Sequence, residues 1–333
     1  MRSETSPPAS RRLLGAVLRV IVSLSAFGYL LATVDGAAFA QAFGRMRPGA
    51  AFLALLLLFG VIGLGTLRWT LLLRAYGATR APGLLRAFQL YLVGFFYNLY
   101  LPGAVTGDLL RAVASREAFG EDEARAATAG VTVVFVERVM GLSGLVALCA
   151  LSSLAHPARI VGLEVAAALG LIAAITAVVA IALGRRFGAR LPGRIGRIAR
   201  RLPELESAPT LLVVFAICVA GHFLLALTGH TLMLAIEPSV RLVDSIVIFP
   251  IGSAAAFFPL TVGGAGVREA TLVALFRTVG IGEASALAGS LALFGSQLFV
   301  AGLGGLWHIA RPLSVECTRP FAAHAPSSYP EAK

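Results

Sequence analysis

Residues 84–116 read LLRAFQLYLVGFFYNLYLPGAVTGDLLRAVASR. The stretch starts apolar for about one membrane width, the ~20 residues that cross a ~30 Å hydrocarbon layer. Pro102 and Gly103 then break it, and Asp108 and Arg111 follow in a renewed helical pattern. Whether it crosses the bilayer or turns back inside it sets the architecture of the chain, and the charges on either side decide which.

The surroundings are membranous. Of 333 residues, 58% are hydrophobic and 14% charged, and the mean hydropathy is +0.85, more than a water-soluble core absorbs. Apolar runs occupy Leu13–Val34, Ala50–Leu73, Thr128–Leu154, Val161–Leu183, Leu211–Ile236 and Ala286–Ile309. They are too numerous for signal peptides. The first follows Arg11 and Arg12 but is long, with no clear small-residue cleavage site, so it is expected to be an uncleaved helix. Net charge is +11 and Lys333 is the sole lysine. The arginines lie in short loops between apolar runs, where they report orientation, so nucleic acid is not an expected partner. Cys149, Cys218 and Cys317 form an odd set without metal-ligand spacing, and no disulfide framework, metal or cofactor is expected.

Arg185, Arg186, Arg190, Arg194, Arg197, Arg200 and Arg201 form an unopposed basic loop, cytoplasmic by the positive-inside rule. Counting outward, the N-terminus is cytoplasmic, two spans return the chain inside at Arg74, Arg80 and Arg86, and the spans before Arg185 put Arg111, Arg116 and Arg125 inside too. The stretch from Arg86 to Arg111 therefore begins and ends on one side, as a re-entrant hairpin. Residues 243–280 begin and end outside by the same count and break at FFPLTVGGAGVRE, residues 257–269. Arg45 and Arg47 fall outside, against the rule. Irregular backbone at membrane depth requires protein or a watery cavity to satisfy its polar groups.

The two breaks share a spacing: Pro102, Val105, Gly107 and Arg111 match Pro259, Val262, Gly264 and Arg268. Each half then reads as two spans, a broken hairpin and one span, from opposite starting sides, a plan recurrent in transporters. The alternative is that Pro and Gly merely punctuate membrane helices. The expected fold is thus an all-α polytopic membrane protein of six spanning helices plus two re-entrant broken hairpins, about eight hydrophobic segments, in an inverted pseudo-repeat. The expected layout is a cytoplasmic tail 1–11, a membrane domain 12–311 with halves 12–155 and 159–311 and a basic cytoplasmic loop 184–208, then a cytoplasmic tail 312–333.

Polar residues inside apolar segments carry the chemistry by default. A helix opening after Pro102 and Gly103 presents free N–H groups that suit an anionic headgroup. Asp108 and Arg111, three apart, share a helical face and can pair; alternatively Asp108 caps the helix. Asn98 is a further candidate, and Arg116 reads as a cytoplasmic anchor. The run Gly263, Gly264, Ala265, Gly266 before Arg268 and Glu269 lacks the features of a nucleotide loop and suits close helix approach or a backbone-lined site. Glu137 and Arg138, in TVVFVERVMGLSGL, are functional or a structural pair in which Arg138 neutralises Asp108 or Glu269. His222, His230 and Gln297 are expected to make packing contacts and hydrogen bonds between helices. PGRIGRIARRLPELE, residues 192–206, reads as an interfacial helix or a solvated linker.

Three of these motifs, FFYNLYLPGAVTGDLLRA, VFVERVMGL and FPLTVGGAGVREA, resemble the flippase-like membrane domain of lysylphosphatidylglycerol synthases and the stand-alone membrane proteins grouped with it. The resemblance covers about residues 12–311. It implies a lipid translocase, with Asp108, Arg111, Glu137, Arg138, Arg268 and Glu269 as the polar lining of a headgroup path. Residues 310–333 are all that follows the last apolar run, so aminoacyl transfer by a soluble domain is not expected of this chain.

The expected function is an inner-membrane lipid translocase that binds an anionic headgroup between the hairpins. The substrate-binding candidates are Asn98, Pro102, Gly103, Gly107, Asp108, Arg111, Glu137, Arg138, Gly263, Gly264, Gly266, Arg268 and Glu269. The rivals are a membrane transferase on lipid-linked substrates, with Asp108 or Glu137 as the acid–base group, and a non-catalytic scaffold in lipid synthesis. Besides lipid, the partners expected are further copies of the chain or a lipid-synthesis enzyme.

Overall fold

The structure, a computed structural model, describes residues 35–101, 106–120, 123–155, 205–256 and 266–312. Among these residues every regular element is helical: α1 (Gly36–Gly44), α2 (Pro48–Ala75), α3 (Leu84–Tyr100), α4 (Thr106–Ala114), a 3₁₀ turn (Arg116–Phe119), α5 (Glu123–Ala155), α6 (Ala208–Ile236), α7 (Leu242–Ala256), α8 (Val267–Thr278) and α9 (Glu283–Ala310). Four stretches are long and apolar enough to cross a membrane, Pro48–Ala75, Ala126–Ser152, Pro209–Ile236 and Glu283–Ala310. The chain is a multi-pass membrane protein. The expected spans at 13–34 and 161–183, the basic loop up to residue 204, and the breaks at Pro102-Gly103 and Gly263-Gly264 lie outside the described residues.

Length separates the spans from the rest. At 1.5 Å per residue, α3 with its 17 residues reaches about 25 Å, short of the ~30 Å hydrocarbon layer. Instead α4 folds back along α3. Gly107 meets Gly94 so closely that a Cβ on Gly107 would overlap the Gly94 carbonyl, while Asn98 bonds Gly107 and Asp108 and Arg111 lies over the Tyr91 ring. Later residues of α4 thus meet earlier residues of α3, which makes the pair antiparallel. The pair α7 and α8 repeats this: Gly252 abuts Leu272, and Phe249 stacks edge-on to Phe276.

Loop contacts locate the ends of both pairs. The Arg80 N–H donates to the Ala118 carbonyl, the Glu206 N–H to the Ala75 carbonyl, and Gln89 to the Arg311 carbonyl. The start of α3 and the end of α4 therefore share one end of the bundle with the exposed Arg74, Arg80, Arg116 and Arg311. At the other end Ser285 donates to Glu237, Arg277 pairs with Glu283, and Ala42, Ile236 and Ala288 cluster with Phe39 and Met46 of the α1 region. That end holds the start of α7 and the end of α8. The sequence reading did not anticipate α1, which Asp35 caps by accepting from the Ala37 and Ala38 N–H groups.

Packing obeys an exchange rule. If α2, α3, α4 and α5 are swapped for α6, α7, α8 and α9, the contacts map onto themselves. The α2–α6 contact is its own image; α3–α9 becomes α7–α5, α2–α3 becomes α6–α7, α4–α5 becomes α8–α9, and α5–α6 becomes α9–α2. Small residues allow these approaches, since within lipid helices associate through close packing and not through apolar burial. A Cβ at Gly144 would press on Cys218 of α6, and one at Gly304 on Leu92 of α3.

Candidate functional site

The fold-back of α4 on α3 builds the first polar centre. Because no Cβ separates Gly107 from Gly94, α4 sits deep enough for the Asn98 side-chain oxygen to accept the Gly107 N–H at 2.8 Å. The Asn98 amide then donates to Asp108 Oδ1 at 3.2 Å, and Arg111 Nη2 reaches the same oxygen at 2.6 Å. The other terminal nitrogen of Arg111 crosses to α5 and meets Glu137 Oε2 at 2.5 Å. Asp108, Arg111 and Glu137 are all buried. The Asp108 carboxylate is thus engaged by side chains, beyond the capping role weighed from sequence.

Two further arginines close the network. Arg68 of α2 binds Glu137 Oε1 at 2.7 Å and donates to the Tyr91 hydroxyl at 3.1 Å, which in turn donates to Glu137 at 3.2 Å. Arg138 turns back to Oδ2 of Asp108, one of the two acids considered for it. The Arg111 guanidinium lies 4.5 Å from the Tyr91 ring centroid, and Gly65 of α2 leaves the space the Tyr91 ring occupies. Three cations and two carboxylates thereby tie α2, α3, α4 and α5 together. Arg68 Nε is buried without a hydrogen-bond partner, but each guanidinium and carboxylate is charge-paired, which lets the network tolerate burial; removing one member leaves an uncompensated buried charge.

The second centre is smaller. Gly266 enters α8 with φ of 88°, a left-handed conformation that glycine adopts at little cost. Its N–H donates to Glu269 Oε2 at 2.6 Å, which ties the acid to the start of its own helix. Arg268 Nη2 binds Glu269 Oε1 at 2.5 Å, Arg268 Nη1 reaches Gln297 of α9 at 3.0 Å, and the guanidinium covers the Phe294 ring at 4.4 Å. Arg111 and Arg268, matched in the sequence spacing, therefore each extend to the span that follows.

Asn98, Gly107, Asp108, Arg111, Glu137 and Arg138 come together in the first centre, and Gly266, Arg268 and Glu269 in the second. Pro102, Gly103, Gly263 and Gly264 lie outside the described residues. Arg116 is exposed, away from both centres. His222 Nε2 bonds the Gly141 carbonyl at 2.9 Å and His230 Nδ1 the Ser245 hydroxyl at 3.0 Å, hydrogen bonds between helices as expected of them. Sequence reasoning missed Arg68 and Tyr91, and it expected Gln297 to make a contact between helices without naming Arg268 as the partner. An arginine inside an apolar span was the available signal for Arg68; its place near one end of a long apolar run hides it.

Such an assembly, buried ion pairs at the crossing of apolar helices, defines a polytopic membrane protein with a polar interior. The family model for the lysylphosphatidylglycerol synthase TM region matches residues 16–305, and the chain belongs to that family. No curated protein matches it significantly.

Proposed function

We propose that the protein is a cytoplasmic-membrane lipid translocase that binds an anionic lipid headgroup at the polar centres. The observation that carries this is the Arg68–Glu137–Arg111–Asp108–Arg138 network, buried among spans and open at Arg138, whose side chain is 37% exposed. Charges kept at membrane depth are costly and mark paths for polar cargo. Family membership supports lipid as that cargo. The candidate headgroup residues are Asn98, Gly107, Asp108, Arg111, Glu137, Arg138, Gly266, Arg268 and Glu269, and, on the sequence alone, Pro102, Gly103, Gly263 and Gly264.

Six spans with two re-entrant hairpins entering from opposite faces are part of this reading, with both termini in the cytoplasm. The loop contacts that gather the ends of α3–α4 at one end of the bundle and those of α7–α8 at the other support it, as does the exchange symmetry of the packing. Both carboxylates of the first centre accept from arginines, which favours binding over a transferase's proton donor, whose carboxyl must hold a proton.

Liposomes carrying the purified protein and a quenchable fluorescent anionic lipid test the function. Leaflet exchange above that of empty liposomes is expected, with loss in Arg111→Ala and Arg268→Ala. Exchange unchanged in both variants rejects these sites. For topology, single cysteines replacing Arg86 and Arg116 are expected to label from one side of the membrane and a cysteine replacing Arg277 from the other. Labelling of the first two from opposite sides refutes the hairpin.

A further inference from the structure

The three cations of the first centre are not alike. The Arg138 side chain is 37% exposed, against 7% for Arg111 and 17% for Arg68, yet it stands midway along the Ala126–Ser152 span. A guanidinium open at that depth is unfavourable against hydrocarbon and is tolerated beside a polar path or a lipid headgroup. Its neighbours point to lipid. Val131, Phe135 and Leu142 are exposed at 57%, 58% and 45%. With Arg138 they follow the i, i+4, i+7, i+11 spacing of a single helical stripe. Although much of this span is buried, it thus presents an outward track in which a cation is flanked by apolar side chains, so a phosphate at Arg138 can have its acyl chains lie along one apolar arm.

The bonding of Asp108 is divided in a matching way. Oδ1 is held inside by Arg111 and Asn98, while Oδ2 faces the Nε and Nη2 of Arg138. A phosphodiester offers a guanidinium the same kind of paired oxygen acceptor as a carboxylate. We propose that Asp108 Oδ2 is an internal stand-in for the lipid phosphate. When an anionic phospholipid enters along Val131, Phe135 and Leu142, Arg138 exchanges the carboxylate for the phosphate, and Arg111 and Asn98 keep Asp108 in place. The exchange breaks no covalent bond and moves no proton. It makes Arg138 the residue that selects an anionic headgroup and Asp108 the group that keeps binding weak enough for release.

This rests on the translocase reading, and its test has the opposite sign from that reading's arginine variants. Full-length protein in mixed micelles of phosphatidylglycerol and phosphatidylcholine is analysed by native mass spectrometry for the lipid it retains. The wild type is expected to prefer phosphatidylglycerol. Asp108→Asn should raise that preference by about tenfold, the size of one charge-assisted contact. Arg138→Gln should abolish it, and the double variant should match Arg138→Gln. Inorganic phosphate should not displace the lipid; displacement by phosphate alone makes this a free-anion site and overturns the lipid assignment. A fall or no change in Asp108→Asn, or a rise that persists in the double variant, overturns the exchange while leaving the translocase reading intact if the wild type still prefers phosphatidylglycerol. No preference in any form overturns both. Should Asp108→Asn fail to fold, Asn98→Ala, which loosens Oδ1, is expected to give a smaller rise of about threefold, and a fall there counts equally against the exchange.

Discussion

The two polar centres occupy matching places in the two halves and are built with different stringency. In the first, Arg111 lies between Asp108 of its own helix and Glu137 of the next span, and Arg68 and Arg138 bring in further charge. In the second, Arg268 has its chain neighbour Glu269 and a neutral amide, Gln297. One is a network across four helices; the other, among the described residues, is a local pair tied to α9 through Gln297 and Phe294. Matching position preserves the arginine's reach to the following span, but the charge met there differs, so the consequences of losing a partner should differ as well.

The largest effect is expected at Glu137. Glu137→Ala leaves Arg68 and Arg111 facing each other without their shared acid, and should cost about 3–5 kcal/mol, read as a fall in the unfolding midpoint in detergent. A loss under about 1 kcal/mol would mean that the centre is solvated and not buried as a unit. Next comes the approach of α4 to α3. Gly107→Ala drives a methyl group into the Gly94 carbonyl and should cost about 1–3 kcal/mol, whereas Gly295→Ala, where a Cβ meets nothing, should leave the midpoint unchanged.

A smaller effect is expected at the second centre. Gln297→Ala removes one hydrogen bond to a cation that keeps Glu269, at about 1.5 kcal/mol; a cost equal to that at Glu137 would erase the distinction between the halves. Gln297→Glu sharpens the comparison from the other side, since it gives Arg268 the second carboxylate that Arg111 already has. Least affected should be Arg277→Ala at the bundle's end, where the pair with Glu283 is 75% and 41% exposed and is worth at most about 0.5 kcal/mol.

Much of the fold was legible because lipid imposes a simple constraint: backbone polar groups must be bonded within helices, so span length and apolar content mark the segments. The four described spans coincide closely with four of the apolar runs. The candidate site was legible through the same cost, which makes Asp108, Arg111, Glu137, Arg138, Arg268 and Glu269 conspicuous in apolar surroundings. Arg68 was not, because a single charge near one end of a long apolar run leaves the run recognisable as a span and draws no attention to itself. Tyr91 and Gln297 carry no formal charge, so nothing in the sequence ties either of them to a particular arginine.

By itself the sequence determined the membrane class, the apolar runs, the shared Pro-Val-Gly-Arg spacing and which charges fall within apolar surroundings, since each is a local property of the chain. Only the tertiary structure decided who pairs with whom. That Arg138 meets Asp108, that Arg68 joins Glu137 and that Gln297 meets Arg268 depend on which helix lies across from which. Glycine contacts such as Gly94 with Gly107 set that arrangement, and helical periodicity, which tells a residue's face but not its neighbour, carries no record of it.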